Sequence, residues 1–126
     1  MDRQKVLVIE HDEGWQSYYE RQLNGSVSLL KAITLEDGHQ LFCEHAEELC
    51  AVIIGGSTPG EARHGEELTT LRLLAIIRTS FHGPIFGTVG DKRLQESLRL
   101  GGCTDFCPRN DVPVHVRRAL NTEEVT

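Results

Sequence analysis

The sequence predicts an α/β fold, a five-stranded parallel sheet with helices on both faces, and three observations carry that expectation. Short apolar runs alternate with segments of helical period, five times in succession. The runs are continuous rather than alternating, which is the pattern of strands buried on both faces. Gly, Asn and Asp stand at the junctions, where helices begin and end. In such a sheet the crossovers are right-handed, and ligands gather at the carboxyl ends of the strands.

The elements follow in order. Lys5–Ile9 (KVLVI) reads as a buried strand, and residues 12–25 as a helix. Trp15, Tyr18, Tyr19 and Leu23 form that helix's apolar stripe, and Asn24-Gly25 ends it. Residues 26–34 (SVSLLKAIT) give a second strand, and 35–49 a second helix weakened by Gly38. Cys50–Ile54 (CAVII) is the third strand. A long irregular loop, GGSTPGEARHGEE, precedes a helix over 68–80 with Leu68, Leu71, Leu74 and Ala75 as apolar positions. Residues 83–89 (GPIFGTV) form the fourth strand, and a helix capped by Asp91 closes at Gly101-Gly102. CTDFC, 103–107, is a short fifth strand, and Asp111 is expected to cap a last helix that admits Pro113 in its first turn. The expected domain spans 1–121, followed by a fraying tail, 122–126.

Composition narrows the function classes. At 126 residues the chain makes one domain with a full core, and a net charge of −6 argues against direct nucleic-acid or anionic-membrane binding. No apolar run is long enough to span a bilayer, and the opening apolar stretch, Val6–Ile9, is too short for a signal peptide, so a cytoplasmic location is expected. Cys43, Cys50, Cys103 and Cys107 form no C-x-x-C pair and read as reduced thiols. His39, Cys43 and His45 lie close in sequence, a spacing too loose to specify a metal site.

The strand ends carry Glu10, His11 and Asp12 after the first strand, Gly55-Gly56 after the third, Thr88 after the fourth and Arg109 after the fifth. Together with VLVIEHDE, VIIGGSTPG, PIFGTV and GGCTDFCPRN, this order of elements resembles the receiver domain of bacterial response regulators over essentially the whole chain. The resemblance implies a flavodoxin-like sheet with strand order 2-1-3-4-5. It also implies acidic residues at the first strand end that hold Mg²⁺, an Asp at the third that takes a phosphoryl group, a hydroxyl residue at the fourth, and Lys-Pro at the fifth. Pro59-Gly60 matches the family's turn, and counting back from it sets Gly55 on the acceptor position. Glu10 suits the first acidic position, His11 replaces the second with Asp12 adjacent, and Arg109-Asn110 replaces Lys-Pro. Phe106 matches the family's switch aromatic.

Chemistry points the same way. Glycine offers no nucleophile, an imidazole is a poor Mg²⁺ ligand, and a guanidinium is not a compact ammonium. No catalytic residue, no cofactor and at most a weak residual Mg²⁺ are expected, with Arg109 pairing with Glu10 or Asp12 instead. Ser57 and Thr58 serve the turn before Pro59 or present kinase targets. Gly55, Gly56, Gly87 and Gly90 cluster at strand ends, where glycine can let a phosphate or nucleotide approach the backbone, but neither G-x-G-x-x-G nor P-loop spacing is present and nucleotide binding is not expected.

The leading expectation is a degenerate receiver of two-component signalling that acts by phosphorylation-independent protein–protein contacts. Its partner or second copy would dock on the face of helix four, strand five and helix five, marked by Lys92, Arg93, Glu96, Arg99, Arg117 and Arg118. The alternative is a pseudo-receiver that senses a small ligand through the emptied pocket or the Gly56–Glu67 loop. A third reading, an enzyme using His11 or His64 as acid-base group, lacks a nucleophile–base pair.

Overall fold

Branched residues dominate the central strands, and their side chains divide between two cores by strand period. In β1 (Gln4–Ile9), Val6 and Val8 point to one face while Leu7 and Ile9 point to the other. β3 (Leu49–Ile54) repeats the division, with Ala51 and Ile53 on the first face and Val52 and Ile54 on the second. The computed structural model describes residues 4–25, 27–55 and 69–120. The remaining strands are β2 (Val27–Ala32), β4 (Ile85–Gly87) and β5 (Asp105–Phe106). All pair in parallel, in the order β2-β1-β3-β4-β5 expected from the sequence. The ladder is irregular where Lys5 pairs with Leu49 and Val6 with Ala51, so Cys50 is passed over.

Among the described residues five α-helices cover the sheet: α1 (Glu13–Leu23), α2 (Leu35–His45), α3 (Thr70–Arg78), α4 (Lys92–Gly101) and α5 (Val112–Leu120). Tyr19 and Leu23 of α1 and Val112 and Val116 of α5 fill one core. Leu35 and Phe42 of α2, Leu73, Leu74 and Ile77 of α3, and Leu98 of α4 fill the other. Each such side chain, fully buried, contributes about 1.5–3 kcal/mol. Asp12, Thr34, Thr69 and Asp91 cap α1 to α4 by accepting backbone N–H bonds in the first turn. Gly102, at φ +121°, ends α4 in a conformation that favours glycine.

Several expected boundaries and faces shift. The second helix stops at His45, and a 3-10 turn, Ala46–Glu48, leads into a third strand that begins at Leu49. The strands predicted over 83–89 and 103–107 shorten to three and two residues. On α3 the buried face is Leu73, Leu74 and Ile77; Leu71 is 43% exposed and Ala75 is exposed, because the helix meets the sheet one step round from the predicted stripe. Leu68 lies outside the described residues. Asp111 does not cap α5; it closes a 3-10 turn, Arg109–Asp111, that runs directly into the helix. Gly38 proves to be a packing position, since a Cβ there would sit 2.9 Å from Ile9 Cδ1.

Candidate functional site at the carboxyl ends of the strands

The parallel ladder itself assembles the site. The Glu10 N–H donates to Ala32 O, Gly55 N–H to Ile9 O, Thr88 N–H to Ile54 O and Cys107 N–H to Gly87 O, at 2.8–3.1 Å. These bonds hold the ends of β1, β3, β4 and β5 side by side, with Gly55 buried between Glu10 and Thr88.

Glu10 is the one charged residue among the buried side chains described, at 1% exposure, so its charge requires partners. Arg109 supplies them in a fork: Nε lies 2.8 Å from Oε1 and Nη2 lies 3.0 Å from Oε2. The Asp12 backbone N–H adds a third bond to Oε2 at 3.1 Å, and His11 Nδ1 stands 3.3 Å from the same oxygen. The Arg109 guanidinium also lies 5.8 Å from the Trp15 ring centroid, a cation–π contact. Tyr19 lies beneath: burial first, then the Glu10 charge, push its phenol well above the ordinary 10.0.

Gln16 is a position beside the site that the sequence reading missed. Its Nε2 reaches the carbonyls of Val8, Glu10 and Ala32 at 3.0–3.1 Å, sharing two hydrogens among three acceptors and tying α1 to the ends of β1 and β2. A signal was present: Gln16 precedes Tyr19 and Leu23 at helical spacing, a polar residue on a buried face. Arg78 was missed too. It donates to Gly102 O, Phe81 O, Gly83 O and Thr104 Oγ1 at 2.7–3.2 Å, fastening the end of α3 to the turn before β5.

The other predicted residues fall as follows. Thr88 lines a cavity of about 210 Å³ with Val89, Gly90, Gln95, Phe106, Cys107 and Pro108. Phe106 is half-buried against Gly87, where a Cβ would meet its ring at 2.8 Å. The space left by Gly87 thus holds an aromatic ring. Asp12 is engaged as the α1 cap through Oδ1. Lys92, Arg93, Glu96 and Arg99 are exposed on α4, where Arg99 pairs with Glu96 at 3.0 Å and lies 5.4 Å from the Phe106 ring centroid. Arg118 is exposed on α5. Arg117 instead donates to Gln22 O at 2.8 Å, so it turns to α1 and away from the expected face. Among the described residues no three metal-capable side chains gather, so His39, Cys43 and His45 do not converge; His45 pairs with Glu48 at 2.7 Å. Gly56, Ser57, Thr58, Pro59, Gly60 and His64 lie outside the described residues, as do the Gly56–Glu67 loop and the 122–126 tail.

With this geometry in place, the chain compares closely with solved structures. The N-terminal domain of an uncharacterized protein from Wolinella succinogenes superposes with a TM-score of 0.76 at 18% identity, covering 97% of this chain and 94% of that one. A response regulator receiver domain protein from Clostridium thermocellum matches with a TM-score of 0.72 at 18% identity, over 96% and 97% of the two chains. A chain of the CheX–CheY–BeF3–Mg²⁺ complex from Borrelia burgdorferi matches with a TM-score of 0.70 at 12% identity, over 97% and 90%. No protein-family model and no curated protein matches the sequence. At these identities the likeness establishes the fold: this chain has the flavodoxin-like fold of response-regulator receiver domains.

Proposed function

We propose that this chain is a pseudo-receiver, a signalling module that works through protein–protein contacts and does not take a phosphoryl group. The observation that carries the reading is the Arg109 fork on the buried Glu10 carboxylate. A receiver that holds Mg²⁺ needs that carboxylate free to face the ion. Here both oxygens are bound to an internal guanidinium, His11 offers nitrogen where a hard oxygen is required, and Gly55 has no side chain to attack phosphorus. The donor set does not fit Mg²⁺, and no phosphoryl step is derived through it.

The chemistry of the pocket has been replaced by a structural bond. Arg109 carries one positive charge into the place where a divalent ion would otherwise gather the strand ends. It joins the β5–α5 connection to β1 without any ligand. The state of Phe106 is then set by packing against Gly87 and by Arg99 rather than by phosphate. Signal output falls to the surface of α4, β5 and α5, where Lys92, Arg93, Glu96, Arg99 and Arg118 offer mixed charges that fix register with a partner or second copy. The net charge of −6 leaves nucleic acid an unfavoured partner for this domain.

Incubation with acetyl phosphate and Mg²⁺, followed by intact-mass measurement, tests the reading. The expected result is an unchanged mass; a hydroxylamine-labile gain of one phosphoryl group overturns it.

A further inference from the structure

A second concave site lies beside the first, on the outer side of α1, and the reading above does not use it. Asp12, Gly14, Trp15, Tyr18 and Asn110 line a cavity of about 350 Å³, within the size range of small-molecule sites. Trp15 and Tyr18 are both half-buried, with ring centroids 5.5 Å apart and planes at 89°. Both rings line the cavity and stand at right angles to one another. The corner is braced from across the fold, because the Tyr18 hydroxyl donates to Asn110 O at 3.1 Å.

The charge of the corner is negative. Asp12 uses Oδ1 for its two capping bonds, from Gly14 N and Trp15 N, while Oδ2 accepts no hydrogen bond from the described residues. Glu13, exposed, is adjacent. The neighbouring cation, Arg109, is neutralised by Glu10, and its contact with Trp15 shows that this ring already draws a cation. The positive end of α1 opposes a cation, but the Asp12 and Glu13 carboxylates sit directly on it.

We propose that this corner binds a small organic ammonium ion of the quaternary or methylated-amine class. Such an ion presents a diffuse charge with an apolar surface. It suits perpendicular aromatic walls with one carboxylate better than a hydrated metal ion or an anion does. The inference stands independently of whether the chain accepts phosphate.

Trp15 is the only tryptophan, so its fluorescence reports on the site directly. The experiment titrates the full chain with choline chloride, with sodium chloride at equal ionic strength, and with the uncharged isostere 3,3-dimethylbutan-1-ol. The proposal expects a saturable response to choline, none to sodium chloride, and half-saturation by the isostere at about tenfold higher concentration. Tyr18→Leu, which keeps apolar bulk but removes the ring, is expected to raise the choline half-saturation point about tenfold. Asp12→Asn, which retains the cap, should raise it by about threefold. If Tyr18→Leu loses its native circular dichroism, the choline–isostere comparison on the unaltered chain decides alone. A linear, non-saturating response to choline, or equal half-saturation by the isostere, overturns the proposal.

Discussion

Arg109 compensates the buried Glu10 carboxylate from within the chain. A carboxylate at 1% exposure is tolerable only while its charge is matched, and the guanidinium matches it with two bonds at 2.8 and 3.0 Å. Arg109→Gln therefore leaves a buried uncompensated charge and is expected to cost about 3 kcal/mol in urea unfolding, the lower end for a buried pair because Arg109 is 29% exposed. Glu10→Gln combined with Arg109→Gln should recover more than half of that loss, since the orphaned charge is gone. The buried thiols give a second prediction. Burial pushes Cys103 from the ordinary 9.0 to about 11, and burial with the nearby Asp105 and Asp111 charges pushes Cys107 equally far. Well below pH 9 both thiols are protonated in either state and their contribution is fully present. As pH rises from about 9 toward about 11, the unfolded chain releases these protons first, so stability falls. Tyr19, shifted upward from 10.0, acts in the same direction. Unfolding midpoints measured between pH 8 and 11 should decline, and a flat profile would speak against buried thiols.

At the scale of elements, helix identity and order were readable in the sequence because period and punctuation agree: Asp12 and Asp91 cap the helices they precede, while Thr34 and Thr69, read as strand and helix residues, prove to be caps as well. The exceptions have physical causes. Asp111 follows the capping pattern but sits in a 3-10 turn continuous with α5, so no free helix end remains for it to cap. Leu71 and Leu74 both fit a helical stripe, and only docking against the sheet selects Leu73, Leu74 and Ile77. The shortness of β4 and β5 was hidden because Val89, Cys103 and Cys107 extend the apolar pattern although residue pairing stops at Gly87 and Phe106. Of the site, the pairing of Arg109 and Glu10 could be reached from strand-end position, whereas helical spacing places Gln16 on a buried face without naming the carbonyls it meets, and nothing local marks the carbonyls that Arg78 reaches. The Gly87–Phe106 contact between β4 and β5 is equally non-local and gives a prediction. Gly87→Ala places a methyl group 2.8 Å from the Phe106 ring and should destabilise by about 1–3 kcal/mol through overpacking. Gly87→Ala with Phe106→Leu should recover part of it, and denaturant midpoints of the two variants check the claim.

For the whole molecule, the sheet order β2-β1-β3-β4-β5 brings residues far apart in sequence to one edge, and in the function proposed above that edge is where this chain departs from a phosphate-driven switch. The fold is that of receiver domains, with two cores, five parallel strands and helices on both faces among the described residues. Among the described residues no helix is long and apolar enough to cross a membrane. With a cation built into the chain, the proposed resting state is a single ligand-free conformation, read by its partners from the surface of α4, β5 and α5. The most direct test is the ¹H–¹⁵N spectrum during titration with Mg²⁺ and then beryllofluoride. The account predicts no saturable shift at the amides of Glu10, Gly55, Thr88, Phe106 and Arg109; a saturable shift centred on those residues would contradict it.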